Sequence, residues 1–125
     1  MNNNLTNREV EIILPNYNSA PYLDETINSV IKQTFEDWKL TIVDANSNNE
    51  TQQILKKYIN YPKINIIFLK KNKKAGFCRN FAIRNSKSDY IAFIDSDDLW
   101  EKDKLFKQLD LMIKNKYYFT YTNYQ

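Results

Sequence analysis

The sequence predicts an α/β domain in which a mostly parallel sheet carries helices on both faces. Two observations lead there. Short β-branched or aromatic runs alternate four times with stretches of helical apolar period, and polar or acidic clusters follow three of the runs. Strands that alternate with helices pair in parallel, because a parallel neighbour is reached by a crossover and not by a hairpin.

The elements follow in order. Val10 to Leu14 is a β-branched run ended by Pro15 and reads as a buried strand. Ser19 and Pro21 signal a helix start, after which Leu23, Ile27, Val30 and Ile31 recur at i, i+4, i+7 and i+8. Trp38 to Val43 is the second strand, stopped by the polar cluster from Asp44 to Asn49. Ile54, Leu55, Tyr58 and Ile59 then mark one helical face, with Pro62 just beyond. Ile64 to Leu69 makes the third strand and Cys78 to Asn85 a short helix. Tyr90 to Ile94 is the fourth strand, running into Asp95-Ser96-Asp97-Asp98. Leu105, Leu109, Met112 and Ile113 mark a longer helix, and Tyr117 to Tyr121 begins a further strand. The Asn-rich residues 1–8 are expected to fray, which leaves one domain over residues 9–125.

Composition narrows the chemistry. At 125 residues the chain can bury roughly two thirds of its unfolded surface and fold without staples. No apolar run approaches the roughly 20 residues of a membrane-spanning helix. The first residues lack the apolar core of a secretory signal, so the expected setting is cytoplasmic, with any membrane association supplied by a longer protein. Cys78 is the single cysteine, set among polar neighbours, which excludes an internal disulfide. There is no histidine, so Ser-His and Cys-His nucleophile pairs drop out, and any metal would be held mainly by oxygen, as Mg²⁺ and Mn²⁺ prefer. One glycine, Gly76, cannot supply the glycine-rich phosphate loops of dehydrogenases or P-loop NTPases. The net charge of +3 does not resemble that of a dedicated nucleic-acid binder, and the run Lys70, Lys71, Lys73 and Lys74 reads as a solvated loop rather than a phosphate site.

Ligands of open α/β sheets bind outside the carboxyl ends of the strands, where strand order reverses. The residues placed there are Asn16-Tyr17-Asn18, Asp44 and Asp95-Ser96-Asp97-Asp98, one aromatic ring and several carboxylates. Such an edge takes an anionic ligand only if a divalent cation bridges them. Asp95 and Asp97, at i and i+2 of a strand end, can point the same way. Asp98 has a structural alternative as the N-cap of the next helix, with Glu101 completing a capping box.

In register, these segments resemble family 2 glycosyltransferases: Ile12-Ile13-Leu14-Pro15-Asn16-Tyr17-Asn18, Gln33-Thr34-Phe35, Ile42-Val43-Asp44 with Ser47, Cys78-Arg79-Asn80, and Tyr90 through Trp100. The resemblance implies a Rossmann-like GT-A nucleotide-binding half that binds a nucleoside diphosphate sugar, with UDP-sugars preferred, and uses Mn²⁺ or Mg²⁺. It implies a donor site of Pro15, Tyr17, Asp44, Arg79, Asp95, Ser96 and Asp97. Tyr17 would lie against the base, Asp44 would contact base or ribose, Asp95 the ribose, and Asp97 the metal and diphosphate, with Asp95 beside it as a second metal ligand. Arg79 matches an arginine near the donor. Two departures stand out. The family commonly shows Val-Asp-Asp-Gly-Ser where this chain has Val43-Asp44-Ala45-Asn46-Ser47, and the segment around Gly76 to Asn80 is shorter than Gly-x-Ser-x-Ala-Arg-Asn.

The resemblance also implies inverting transfer to a saccharide or lipid-linked acceptor, with the catalytic base in an acceptor-binding half that these residues do not include. Asp110 reads as a solvated helix residue and not as that base. Two other function classes compete: an inactive remnant or assembly module with the same fold, and an RNA-binding module that uses the lysines and tyrosines.

Overall fold

The computed structural model describes residues 9–115. Eight elements alternate: β1 (Val10–Asn16), α1 (Ala20–Ile31), β2 (Trp38–Asp44), α2 (Asn49–Lys56), β3 (Ile64–Phe68), α3 (Ala75–Arg84), β4 (Tyr90–Phe93) and α4 (Lys104–Asn115). The further strand expected over Tyr117 to Tyr121 and the fraying expected of residues 1–8 lie outside the described residues.

The strands form one parallel sheet in the order β3-β2-β1-β4. Strand β1 is buried along its whole length, as a central parallel strand covered on both faces must be. Its alternate residues serve two cores. Val10, Ile12 and Leu14 join Leu40 and Ile42 of β2 beneath α1, α2 and α4, which contribute Leu23, Ile27, Val30, Leu55, Leu105 and Leu109. On the opposite face Ile13 and Val43 pack with Ala45 and with Cys78 and Ala82 of α3. Helices therefore cover both faces, and each fully buried Leu or Ile contributes about 1.5–3 kcal/mol.

Three local expectations change. Helix α2 stops at Lys56, and Lys57 and Tyr58 donate backbone N–H to carbonyls only three residues back. This tighter winding rotates the chain away from the four-residue repeat, so Tyr58 is half-buried while Ile59 is 49% exposed instead of sharing the apolar face. Asp98 does not cap a helix, because α4 begins only at Lys104. Its Oδ2 instead accepts the Asp95 N–H at 3.0 Å, and Glu101 Oε1 accepts the Asp103 N–H. Cys78, expected among polar groups, is buried by α3 against β1 and β2, and that burial pushes its thiol pKa up.

Ser19 does begin α1, with Pro21 in the first turn, but its hydroxyl donates to Asn16 Oδ1 and not into a cap. Helix α2 is capped conventionally. Asn48 Oδ1 accepts the Thr51 N–H at 3.0 Å, and Glu50 and Lys56 lie at the dipole ends that suit their charges.

Candidate functional site

Chain order reverses between β1 and β4. From β1 the sheet grows through β2 and β3 on one side, and β4 pairs on the other. The crevice above the carboxyl ends of β1 and β4 is therefore where a ligand belongs. Backbone pairing carries the two strand ends together, the Ile94 N–H donating to the Ile13 carbonyl at 3.1 Å.

The turns above β1 and β2 form one hydrogen-bonded unit. Asn16 Nδ2 donates to Asp44 Oδ1 at 2.9 Å. Ser47 donates to Asp44 twice, by its backbone N–H at 3.0 Å and its hydroxyl at 2.5 Å. The Asn18 N–H reaches Ser47 Oγ at 2.9 Å, and the Asn48 N–H reaches Asn18 Oδ1 at 2.6 Å. Asn18 and Asn46 take left-handed conformations, φ 50° and 64°, which asparagine tolerates better than other side-chain-bearing residues. Asn46 thus stands where the Val-Asp-Asp-Gly-Ser pattern has its glycine. Between these fixed points Tyr17 is left 48% exposed at the crevice.

The predicted site residues divide by accessibility. Asp44 is 0% exposed, its two oxygens accepting three hydrogen bonds. Pro15 is buried in β1 opposite Val43. Ala45, where the family pattern has a second aspartate, packs in the α3-side core at 1% exposure, a position that excludes a solvated carboxylate.

Tyr17, Asp95 and Asp97 are exposed, and Ser96 and Arg79 are half-buried. Arg79 projects from α3 so that its Nη2 lies 3.0 Å from Asp95 Oδ1, which joins two residues 16 positions apart at the rim. Asp98 is engaged inside the turn, while Asp97 has no hydrogen-bond or ion-pair partner among the described residues.

Sequence reasoning missed what holds this turn. Thr26, buried in α1, donates its hydroxyl to the Ser96 carbonyl at 2.9 Å. Gln33 donates to the Glu101 carbonyl at 2.7 Å and accepts the Leu105 N–H at 3.0 Å, and the Thr34 N–H donates to the Lys102 carbonyl at 2.9 Å. The Gln33-Thr34-Phe35 segment is a clamp on the chain between β4 and α4. The segment carried part of the family resemblance, but nothing in the sequence said which carbonyls and N–H groups it would hold. Asp110 pairs with Lys114 along α4.

Among the described residues no group of three or more carboxylates or thiols forms an all-protein metal cage. Two exposed carboxylates with hard oxygen donors nonetheless fit Mg²⁺ or Mn²⁺, since such ions commonly take one or two carboxylates and complete their shell with substrate phosphates and water.

A parallel sheet with helices on both faces, and acidic and aromatic groups at its switch point, defines a Rossmann-like α/β domain. The family model "Glycosyl transferase family 2" matches residues 11–125. The chain belongs to family 2 of the glycosyltransferases, and its sheet is that of the GT-A fold. It is 39% identical over 116 residues to the putative teichuronic acid biosynthesis glycosyltransferase TuaG of Bacillus subtilis, covering 92% of this chain and 46% of TuaG. It is 35% identical to the Escherichia coli UDP-Glc:alpha-D-GlcNAc-diphosphoundecaprenol beta-1,3-glucosyltransferase WfgD, covering 93% of this chain and 46% of WfgD. The chain thus spans about half the length of these relatives. The crystal structure of S. aureus TarS in complex with UDP superposes with TM-score 0.79 at 31% identity, over 86% of this chain and 33% of that one. TarS has also been solved with UDP-GlcNAc.

Proposed function

We propose that the chain is the donor-binding part of a glycosyltransferase and holds a nucleoside diphosphate sugar, a UDP-sugar, in the crevice above β1 and β4. The observation that carries the reading is the division of labour among the four aspartates at this edge. Asp44 and Asp98 are consumed by internal hydrogen bonds, whereas Asp95 and Asp97 face solvent on a turn anchored through Ser96. The UDP and UDP-GlcNAc complexes of TarS, which shares this fold at 31% identity, support uridine as the base.

In this reading Tyr17 lies against the base and Asp95 meets the ribose. Asp44 sits one layer below, and it acts by fixing Asn16, Ser47 and the turn that presents Tyr17. Pro15 forms the floor beneath that turn. Arg79 orients Asp95 and faces the donor when it enters. Asp97, with Asp95 beside it, would hold Mn²⁺ or Mg²⁺ together with the diphosphate, and the ion when bound stabilises charge on the departing diphosphate.

Inverting transfer also needs a base to take the acceptor's proton, and among the described residues none at this edge is placed for it. We assign that base to the acceptor-binding part of the protein. The name of WfgD points to a diphosphoundecaprenol-linked saccharide as the class of acceptor.

Calorimetric titration of UDP with Mn²⁺, then with EDTA, and on Asp97→Ala tests the reading. Saturable binding lost in both controls is the expected result. No binding to the native chain under any condition would favour a remnant that keeps the fold without the site.

A further inference from the structure

We propose that the rim carrying the donor crevice docks on an anionic lipid surface through the connection between β3 and α3. Between Glu50 and Asp89 the chain has ten lysines and arginines and no carboxylate, although the whole carries only +3. The rest of the sequence is therefore net acidic, and the cations are segregated. Four of them, Lys70, Lys71, Lys73 and Lys74, fall in the short connection from β3 to α3, and all four are exposed. None lies within 4.0 Å of a carboxylate among the described residues, whereas Lys39, Lys57, Lys107 and Lys114 each have one.

Two further observations separate this loop from an ordinary solvated one. Lys74 is the N-cap residue of α3, so the cations gather at the positive end of a helix dipole, a placement that only an opposing anion makes favourable. Phe68 and Phe77 bracket the run and are 42% and 46% exposed, with Lys73 Nζ 5.1 Å from the Phe77 ring centroid. Exposed rings beside unpaired lysines suit the boundary of a bilayer, where headgroup phosphates meet the ammonium groups and the acyl region meets the rings.

A lipid surface fits better than a nucleic acid. A polyanion tracking along this edge would meet Asp95 and Asp97, while a plane touching the β3 end leaves them clear. Strand β3 stands two strands from β1 and three from β4, so the crevice lies roughly 10–14 Å from the lysines. That spacing would bring the donor close to the headgroups. This consequence rests on the lipid-linked acceptor proposed above, and the docking itself does not.

The test is co-sedimentation of the full chain with phosphatidylcholine vesicles, with and without phosphatidylglycerol, at low and high salt. Titrations of UDP with Mn²⁺ and of a single-stranded oligoribonucleotide are run on the same preparations. The expected result is binding only to the anionic vesicles, weakened by salt. Each Lys→Gln change should weaken it roughly fivefold, and all four at Lys70, Lys71, Lys73 and Lys74 should weaken it by more than about a hundredfold. Phe77→Ser should weaken it less, and UDP affinity should stay unchanged in every variant. Equal binding to neutral vesicles, or no loss in the fourfold variant, would overturn the proposal. So would tighter binding to RNA than to anionic vesicles, or a fourfold variant that loses UDP, which would make the lysines part of the donor site. A native chain that binds vesicles but not UDP would sink the donor reading and leave the docking standing.

Discussion

Asn16 and Asp44 face each other across the last rung of the β1–β2 pairing, with Asn16 Nδ2 2.9 Å from Asp44 Oδ1. The contact welds the turn bearing Tyr17 to the turn bearing Ser47, and it gives the aspartate after β2 a structural task. Removing the carboxylate strands the Asn16 amide and both Ser47 donors in a site with no solvent. Asp44→Ala should therefore cost about 2–4 kcal/mol, because buried donors left unpaired carry their full desolvation penalty. Urea denaturation measures this. A variant with native stability that fails only to bind UDP would assign Asp44 to direct ligand contact instead.

Thr26 and Ser96 make a second prediction. Thr26→Val keeps the shape and removes the donor to the Ser96 carbonyl, at a cost of about 1–2 kcal/mol. The turn carrying Asp97 then loses its anchor, so the affinity for UDP with Mn²⁺ should fall by roughly tenfold, equivalent to about 1.4 kcal/mol. Unchanged affinity in a destabilised Thr26→Val would mean that the turn holds its shape without α1.

Arg79 and Asp95 form a solvent-accessible pair at the rim, and such pairs contribute little to stability. Arg79→Ala should leave the thermal midpoint within a few degrees of native, a change of under about 1 kcal/mol. Its donor affinity should nevertheless fall. A double-mutant cycle with Asp95→Ala separates two roles. Additive losses place both groups on the ligand, while a non-additive cycle shows that Arg79 acts by orienting Asp95.

The tie between α1 and the turn that follows α2 gives a pH prediction. Asp24 accepts from Lys57 Nζ at 2.6 Å and from the Tyr58 hydroxyl at 2.5 Å. The Lys57 bond, followed by the Tyr58 bond, holds the Asp24 carboxyl below its ordinary range. Burial, followed by the bond to Asp24, pushes the Tyr58 phenol up. A depressed carboxyl stabilises the fold above about pH 4, and this is lost as pH falls further. A raised phenol stabilises below about pH 10, and this is lost as pH rises. Asp24 is 41% exposed, so its share is under about 1 kcal/mol. Thermal melts across the pH range should show Asp24→Asn flattening both limbs and Tyr58→Phe chiefly the alkaline one. An alkaline limb that Tyr58→Phe leaves unaltered would show that other groups produce it.

Much of this was legible in the chain order. Apolar period and turn residues determined the alternation of strands and helices, because each element must bury one face and punctuate its ends. The same periodicity told the buried residues of β1 and α1 from the surface, and the polar clusters after the strands marked the edge where Tyr17, Asp95 and Asp97 lie. Local pattern failed where the folded backbone decided which partner a side chain meets. Asp98 looks like a helix cap in sequence, yet it closes its own turn by accepting the Asp95 N–H, and the burial of Asp44 beneath Asn16 and Ser47, 28 and 3 residues away, shows in no local pattern. Ile59 continues a helical period that the chain abandons three residues earlier. Only the tertiary structure set Arg79 against Asp95, tied Thr26 to Ser96, and brought the unpaired lysines to the same rim as the crevice. Those relationships depend on which strands become neighbours, and strand order is settled by packing over the whole sheet and not by any single segment.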